Sequence, residues 1–174
     1  MKTKPKRHRK TGGQALIEFA LVFPLLFLLI VNVINFGGMF YAWISVTNAA
    51  RTGAQHLITG GATVGGRAAP TPAVVRTLVL DDLHPLPNSA TAQVCVSYSN
   101  SATVGCNTGS APSGTPPAAD TAEGTPAITY NMGAVDVTYT YTPFIPLWDF
   151  PRLGIHATLP PTAIHRRATM RMLE

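Results

Sequence analysis

Between residues 19 and 50 the chain carries no charged residue, and residues 19–36 (FALVFPLLFLLIVNVINF) are apolar apart from Pro24, Asn32 and Asn35. A helix rises 1.5 Å per residue, so about 20 such residues cross the hydrocarbon core of a bilayer. Tyr41 and Trp43 follow, at the place where an interfacial aromatic belt is expected, and the predicted span covers about residues 19–43. The helical period does not stop there. Val46, Ala49, Ala50, Gly53, Ala54 and Leu57 recur at steps of three and four, while Ser45, Asn48, Arg51, Thr52, Gln55 and His56 occupy the opposite face. The pattern predicts one helix over residues 14–58, roughly 65 Å long, apolar all round in its first half and one-sided in its second. A cleaved signal peptide would need an apolar core of only about 7–15 residues and no amphipathic continuation.

The polarity pattern then changes. Residues 59–70 (TGGATVGGRAAP) read as a glycine-rich loop. Thr71 and Pro72 fit an N-cap and first helical position, opening a short helix over Pro72–Leu83 with Val75, Leu78, Val79 and Leu83 on one side. His84-Pro85 and Pro87-Asn88 end it. Alternation predicts strands at Gln93–Tyr98, at residues 134–141 and at residues 163–172. In the second of these, Val135, Val137, Tyr139 and Tyr141 face one way and Asp136, Thr138 and Thr140 the other. Residues 97–126, rich in Ser, Thr, Gly, Ala and Pro, predict a long surface loop. The expected fold class is α+β, a long N-terminal helix packed on a small antiparallel sheet. Its segments are a basic leader at 1–13, the helix at 14–58 and an extracytoplasmic unit at 59–174. Residues 143–151 (PFIPLWDFP) are apolar for a turn; they either pack the sheet against the helix or present Phe144, Trp148 and Phe150 to a partner.

Charge sharpens this picture. The formal net charge is +5, yet every lysine lies within the first ten residues; beyond residue 13, seven arginines face eight acids. A nucleic-acid-binding protein would spread its cations over a folded surface, so no nucleic-acid partner is expected. A basic segment ahead of a membrane span stays cytoplasmic, which places residues beyond about 45 across the membrane. There an oxidising compartment favours a disulfide between Cys95 and Cys106; the alternative, a zinc site, lacks its third and fourth ligands. The histidines His56, His84, His156 and His165 are isolated in sequence, and Asp81-Asp82 are adjacent on a helix and point apart. No nucleophile elbow or phosphate loop is present, and neither enzymatic activity nor a cofactor is expected.

Glu18 stands at the start of the apolar run, where a carboxylate near hydrocarbon costs a few kcal/mol unless it is solvated among headgroups or paired. Its context is Gly12-Gly13-Gln14-Ala15-Leu16-Ile17-Glu18-Phe19. Were the chain cut after Gly13, the new α-ammonium of Gln14 would lie at i and i+4 from Glu18, on one face of the helix or facing the next subunit. The basic leader, Gly13, four residues, Glu18, an aromatic and then an apolar helix resemble a type IV prepilin processing site. The pattern G-x-x-x-x-E-F-A-L-V-x-P-L-L from Gly13 to Leu26, and N-A-A-R-x-G-A from Asn48 to Ala54, is similar to the TadE-like family of minor pseudopilins of the tight-adherence (Flp, type IVb) pilus system. Phe19 departs from the Tyr usual in the major pilins of that system, as does a length of 174 residues. The resemblance implies a type IV pilin-like fold and cleavage between Gly13 and Gln14 by a prepilin peptidase. It also implies residence in the bacterial inner membrane, with other pilins and the pilus assembly platform as partners. Pro24 fits the family pattern or is an ordinary transmembrane kink. An unprocessed, single-pass envelope binding protein is the competing reading.

Overall fold

The computed structural model describes residues 13–59, 70–100, 104–109, 116–122, 128–146, 149–150 and 155–172. The long apolar period forms one unbroken helix, α1, over Gln14–Thr59, 46 residues and about 69 Å in length. Pro24 lies inside it, where it forgoes one backbone hydrogen bond. The second helix, α2, spans Pro72–Leu83 and buries Val75, Val79 and Leu83. Pro72 occupies the first turn as expected, but the Thr71 hydroxyl makes no capping bond; the backbone carbonyl of Thr71 accepts from the amides of Val74 and Val75 instead. The glycine-rich stretch at residues 60–69 lies outside the described residues.

Among the described residues eight strands follow: β1 (Gln93–Tyr98), β2 (Gly105–Cys106), β3 (Asp120–Ala122), β4 (Ile128–Tyr130), β5 (Met132–Tyr141), β6 (Asp149–Phe150), β7 (Ile155–His156) and β8 (Thr162–Arg171). Four make the main sheet, in the order β2-β1-β5-β8, all neighbours antiparallel. β3 with β4 and β6 with β7 form two separate two-stranded ribbons. The structure is thus α+β, a long apolar helix against a small antiparallel sheet. β2 and β3 fall within residues 97–126, so the long loop expected there holds pairing segments. Two- and three-residue strands are too short to show an alternation in sequence.

The register puts Val94, Val137 and Arg166 side by side, and likewise Val96, Val135 and Ala168. This row of mostly apolar residues is the sheet face on which α1 and α2 lie. Val46, Ala49, Ala50, Ala54 and Leu57 of α1 join Val75, Val79 and Leu83 of α2 and Val94, Val96, Val135, Val137, Tyr139, Tyr141 and Ile164 of the sheet in one buried cluster. Alanine and glycine on α1 permit this closeness: a Cβ at Gly53 would stand 2.5 Å from Cγ2 of Val79. Burial raises the pKa of the tyrosines Tyr98, Tyr139 and Tyr141 above the ordinary value. Each phenol donates to a backbone carbonyl, Tyr98 to Pro70, Tyr139 to Pro87 and Tyr141 to Asn35.

Cys95 and Cys106 are directly opposite in β1 and β2 and are joined by a disulfide, with sulfurs 2.12 Å apart. On the same outer face, opposite Val135 and Val137 as the alternation predicts, Asp136 is 2% exposed. His165 Nε2 lies 3.1 Å from Asp136 Oδ1 and Arg167 Nε 3.8 Å from Oδ2. His165, isolated in sequence, therefore has an acidic neighbour across the β5–β8 ladder.

Candidate functional site

The N-terminal helix is the feature the rest of the fold positions. Its most apolar 18 residues have a mean hydropathy of 2.6, and the helix is long and apolar enough to cross a membrane. From Leu16 to Ile30 every large apolar side chain is exposed, by between 45% and 76%. A soluble protein does not leave a continuous apolar surface of that length in water. The first residue of α1 on the buried stripe is Val31, followed by Asn35, Ala42 and Val46. So the span expected over residues 19–43 is free on all sides only up to Ile30; beyond that the C-terminal part of the chain covers one face.

What covers it is a polar clasp. Asn35 is fully buried; its Nδ2 donates to the carbonyl of Ile145 at 3.0 Å and its Oδ1 accepts from the amide of Ile145 at 3.1 Å. The Tyr141 hydroxyl donates to the Asn35 carbonyl at 2.8 Å, and Asn32 Nδ2 donates to the carbonyl of Ala157 at 3.1 Å. Phe144 packs edge-on against Tyr141, their ring centroids 6.2 Å apart, and its ring lies over Gly38. Both asparagines thus have partners and a reason to stand in an apolar run: a buried amide costs free energy unless it is bonded. Phe144 and Ile145 keep 53% and 37% of their surface exposed beside the helix. This part of residues 143–151 both fastens the sheet unit to α1 and leaves apolar surface outward. Trp148 and the Phe150 side chain lie outside the described residues.

At the other end, Gly13 immediately precedes α1 and Gln14 opens it. Gln14 Nε2 donates to Glu18 Oε1 at 3.1 Å, a bond between exposed groups at i and i+4. The two residues named for processing and pairing therefore share a face, and Phe19 starts the ladder of rings Phe19, Phe23 and Phe27. The leader at residues 1–12 is outside the described residues. Residues 13–55 match the family model of TadE-like protein. This N-terminal segment is TadE-like. The match ends inside α1, two residues short of Leu57, and so covers the membrane-type helix and most of its buried stripe but none of the sheet. Neither the curated proteins nor the solved structures contain a match to the chain.

Sequence reasoning missed the roles of Asn32 and Asn35, which it treated as interruptions of an apolar run. Their spacing, one helical turn apart, was the available signal. Among the described residues no group of three His, Cys, Asp or Glu could hold a metal ion.

Proposed function

We propose that the chain is a minor pseudopilin that takes part in assembling a tight-adherence (Flp) pilus. In this reading a prepilin peptidase cuts between Gly13 and Gln14 on the cytoplasmic side of the inner membrane. The helix then packs laterally against those of other pilins, while the sheet unit stays outside. The observation that carries the proposal is the exposed first half of α1, apolar on every side and bearing a single carboxylate, Glu18, in its second turn. A helix needed only as an anchor gains nothing from that charge. A helix that meets others in the membrane gains a pairing site, because an α-ammonium at Gln14 of the same or a neighbouring chain neutralises it. The TadE-like match over residues 13–55 supports the same reading, since it begins at Gly13.

Intact mass of the protein from peptidase-competent cells tests it. A chain beginning at Gln14 is expected; a chain that still begins at Met1 overturns processing and favours the unprocessed envelope binding protein. The substitution Glu18→Ala then separates packing from processing: leader removal continues and piliation is lost.

A further inference from the structure

Above the clasp, α1 and the edge strand β8 enclose a groove of about 450 Å³, within the size range of small-ligand sites. Trp43, Thr47 and Arg51 line it from α1, and Arg166, Arg167 and Thr169 from β8. The guanidinium carbon of Arg166 stands 3.7 Å from the centroid of the Trp43 ring. Arg166 Nε is buried and has no hydrogen-bond partner among the described residues. Arg167 turns to Asp136, 3.8 Å away, whereas neither Arg51 nor Arg166 has an acidic partner among the described residues. Two of the three arginines that line the groove, one of them with a desolvated N–H, therefore lack an acidic partner among the described residues.

We propose that this groove binds the phosphate headgroup of an anionic phospholipid from the outer leaflet. The inference rests on the membrane reading of α1. With Phe19 at the near edge of the hydrocarbon, about 20 residues of helix bring the far edge to the level of Met39, so the clasping loop dips into that edge with Phe144 and Ile145 exposed to the tails and the Ile145 backbone bonded to Asn35. Trp43 then lies about 6 Å further out, within the headgroup layer. Helical side chains lean toward the helix N-terminus, so Arg51, two turns above Trp43, reaches down toward the same layer. Stacking on Trp43 holds the Arg166 guanidinium plane in place, which leaves its planar fork ready for two phosphate oxygens. A guanidinium fits this task better than an ammonium, and no lysine occurs in the chain beyond residue 10.

The test uses the full chain purified in neutral detergent, titrated separately with phosphatidylglycerol, phosphatidylcholine and inorganic phosphate. The thermal midpoint and tryptophan fluorescence are the readouts. Saturable stabilisation by phosphatidylglycerol is expected, about tenfold tighter than by either other probe, because phosphatidylcholine sets a quaternary ammonium against the arginines and inorganic phosphate lacks the acyl chains that lie along the helix. The double substitution Arg51→Gln with Arg166→Gln removes the difference, and Arg76→Gln, on α2 away from the groove, keeps it. Equal responses to phosphatidylglycerol and phosphatidylcholine overturn the site, as does a double variant that binds unchanged. A response to inorganic phosphate as tight as to phosphatidylglycerol overturns the lipid assignment. Recovery of the chain from the soluble fraction of cells, without detergent, overturns the membrane reading itself; a membrane-bound chain with no preference overturns only the groove.

Discussion

The two halves of α1 use the same helix for opposite ends. Between Leu16 and Ile30 the apolar side chains, Ala20 and Pro24 apart, are large, aromatic or branched, and exposed on all sides. Between Ala42 and Leu57 the buried stripe is built mainly of Ala and Gly with Val46 and Leu57, and it lies against α2, β5 and β8. Large residues suit a partner that adapts, such as lipid tails or another helix not yet met. Small residues suit a partner already fixed in the same chain, because they let two backbones approach. Residue size along the helix therefore marks where the chain supplies its own neighbour. The changeover falls at Val31 to Gly38, where Asn35 is bonded and Phe144 lies over Gly38.

The largest test of this division is a matched pair of truncations. Leu57→Ala removes a side chain 2% exposed in the shared core and should cost about 2–5 kcal/mol in detergent unfolding. Leu25→Ala removes one 67% exposed and should leave the unfolding of the sheet unit unchanged. If both variants unfold alike, the first half of α1 has a partner inside the chain and the division fails. Next in size is reduction of Cys95–Cys106. The bridge closes a sequence separation of 11 residues between β1 and β2, and opening it should cost about 3 kcal/mol in the chain-entropy account. Far-ultraviolet circular dichroism should show the sheet unit melting earlier while the helical signal of the membrane segment persists.

The clasp itself is a smaller effect. Asn35→Ala leaves both the amide and the carbonyl of Ile145 without their bonds at 3.1 and 3.0 Å. A loss of about 1–3 kcal/mol is expected. Hydrogen exchange should localise it: faster exchange at Ile145, and no change on β1 or α2. Exchange unchanged everywhere would show that the loop is held by Phe144 and Tyr141 packing rather than by the asparagine.

The second half of α1 is legible in the amino-acid sequence alone. Val46, Ala49, Ala50, Gly53, Ala54 and Leu57 announce their face because helical periodicity is local, and all six are buried. Val135, Val137, Tyr139 and Tyr141 do the same for β5. The long-range partners of Asn32 and Asn35 are not legible, because they are backbone groups 125 and 110 residues away, and a backbone carbonyl has no residue type to betray it. The burial of Asp136 is hidden for a related reason. Its companions His165 and Arg167 are fixed by the β5–β8 register, which one strand's own alternation does not contain. The arginine groove likewise joins Arg51 to Arg166 across a contact between α1 and β8 that no sequence pattern encodes.

The finest test sits on two neighbouring glycines at the changeover. A Cβ added to Gly37 meets nothing within 4 Å, whereas one added to Gly38 meets the Phe144 ring and stands 2.7 Å from the Tyr141 hydroxyl. Both glycines are helical, so alanine is conformationally compatible at each and only the surroundings differ. Gly37→Ala should stabilise by about 0.4–1 kcal/mol, because alanine has less backbone freedom to lose on folding. Gly38→Ala gains the same term but must displace Phe144, and overpacking of that kind costs about 1–3 kcal/mol. The net sign therefore reverses between adjacent residues on one helix. Equal stabilisation by both, measured as thermal midpoints in the same detergent, would place the Phe144 loop away from the helix and move the changeover toward Ala42.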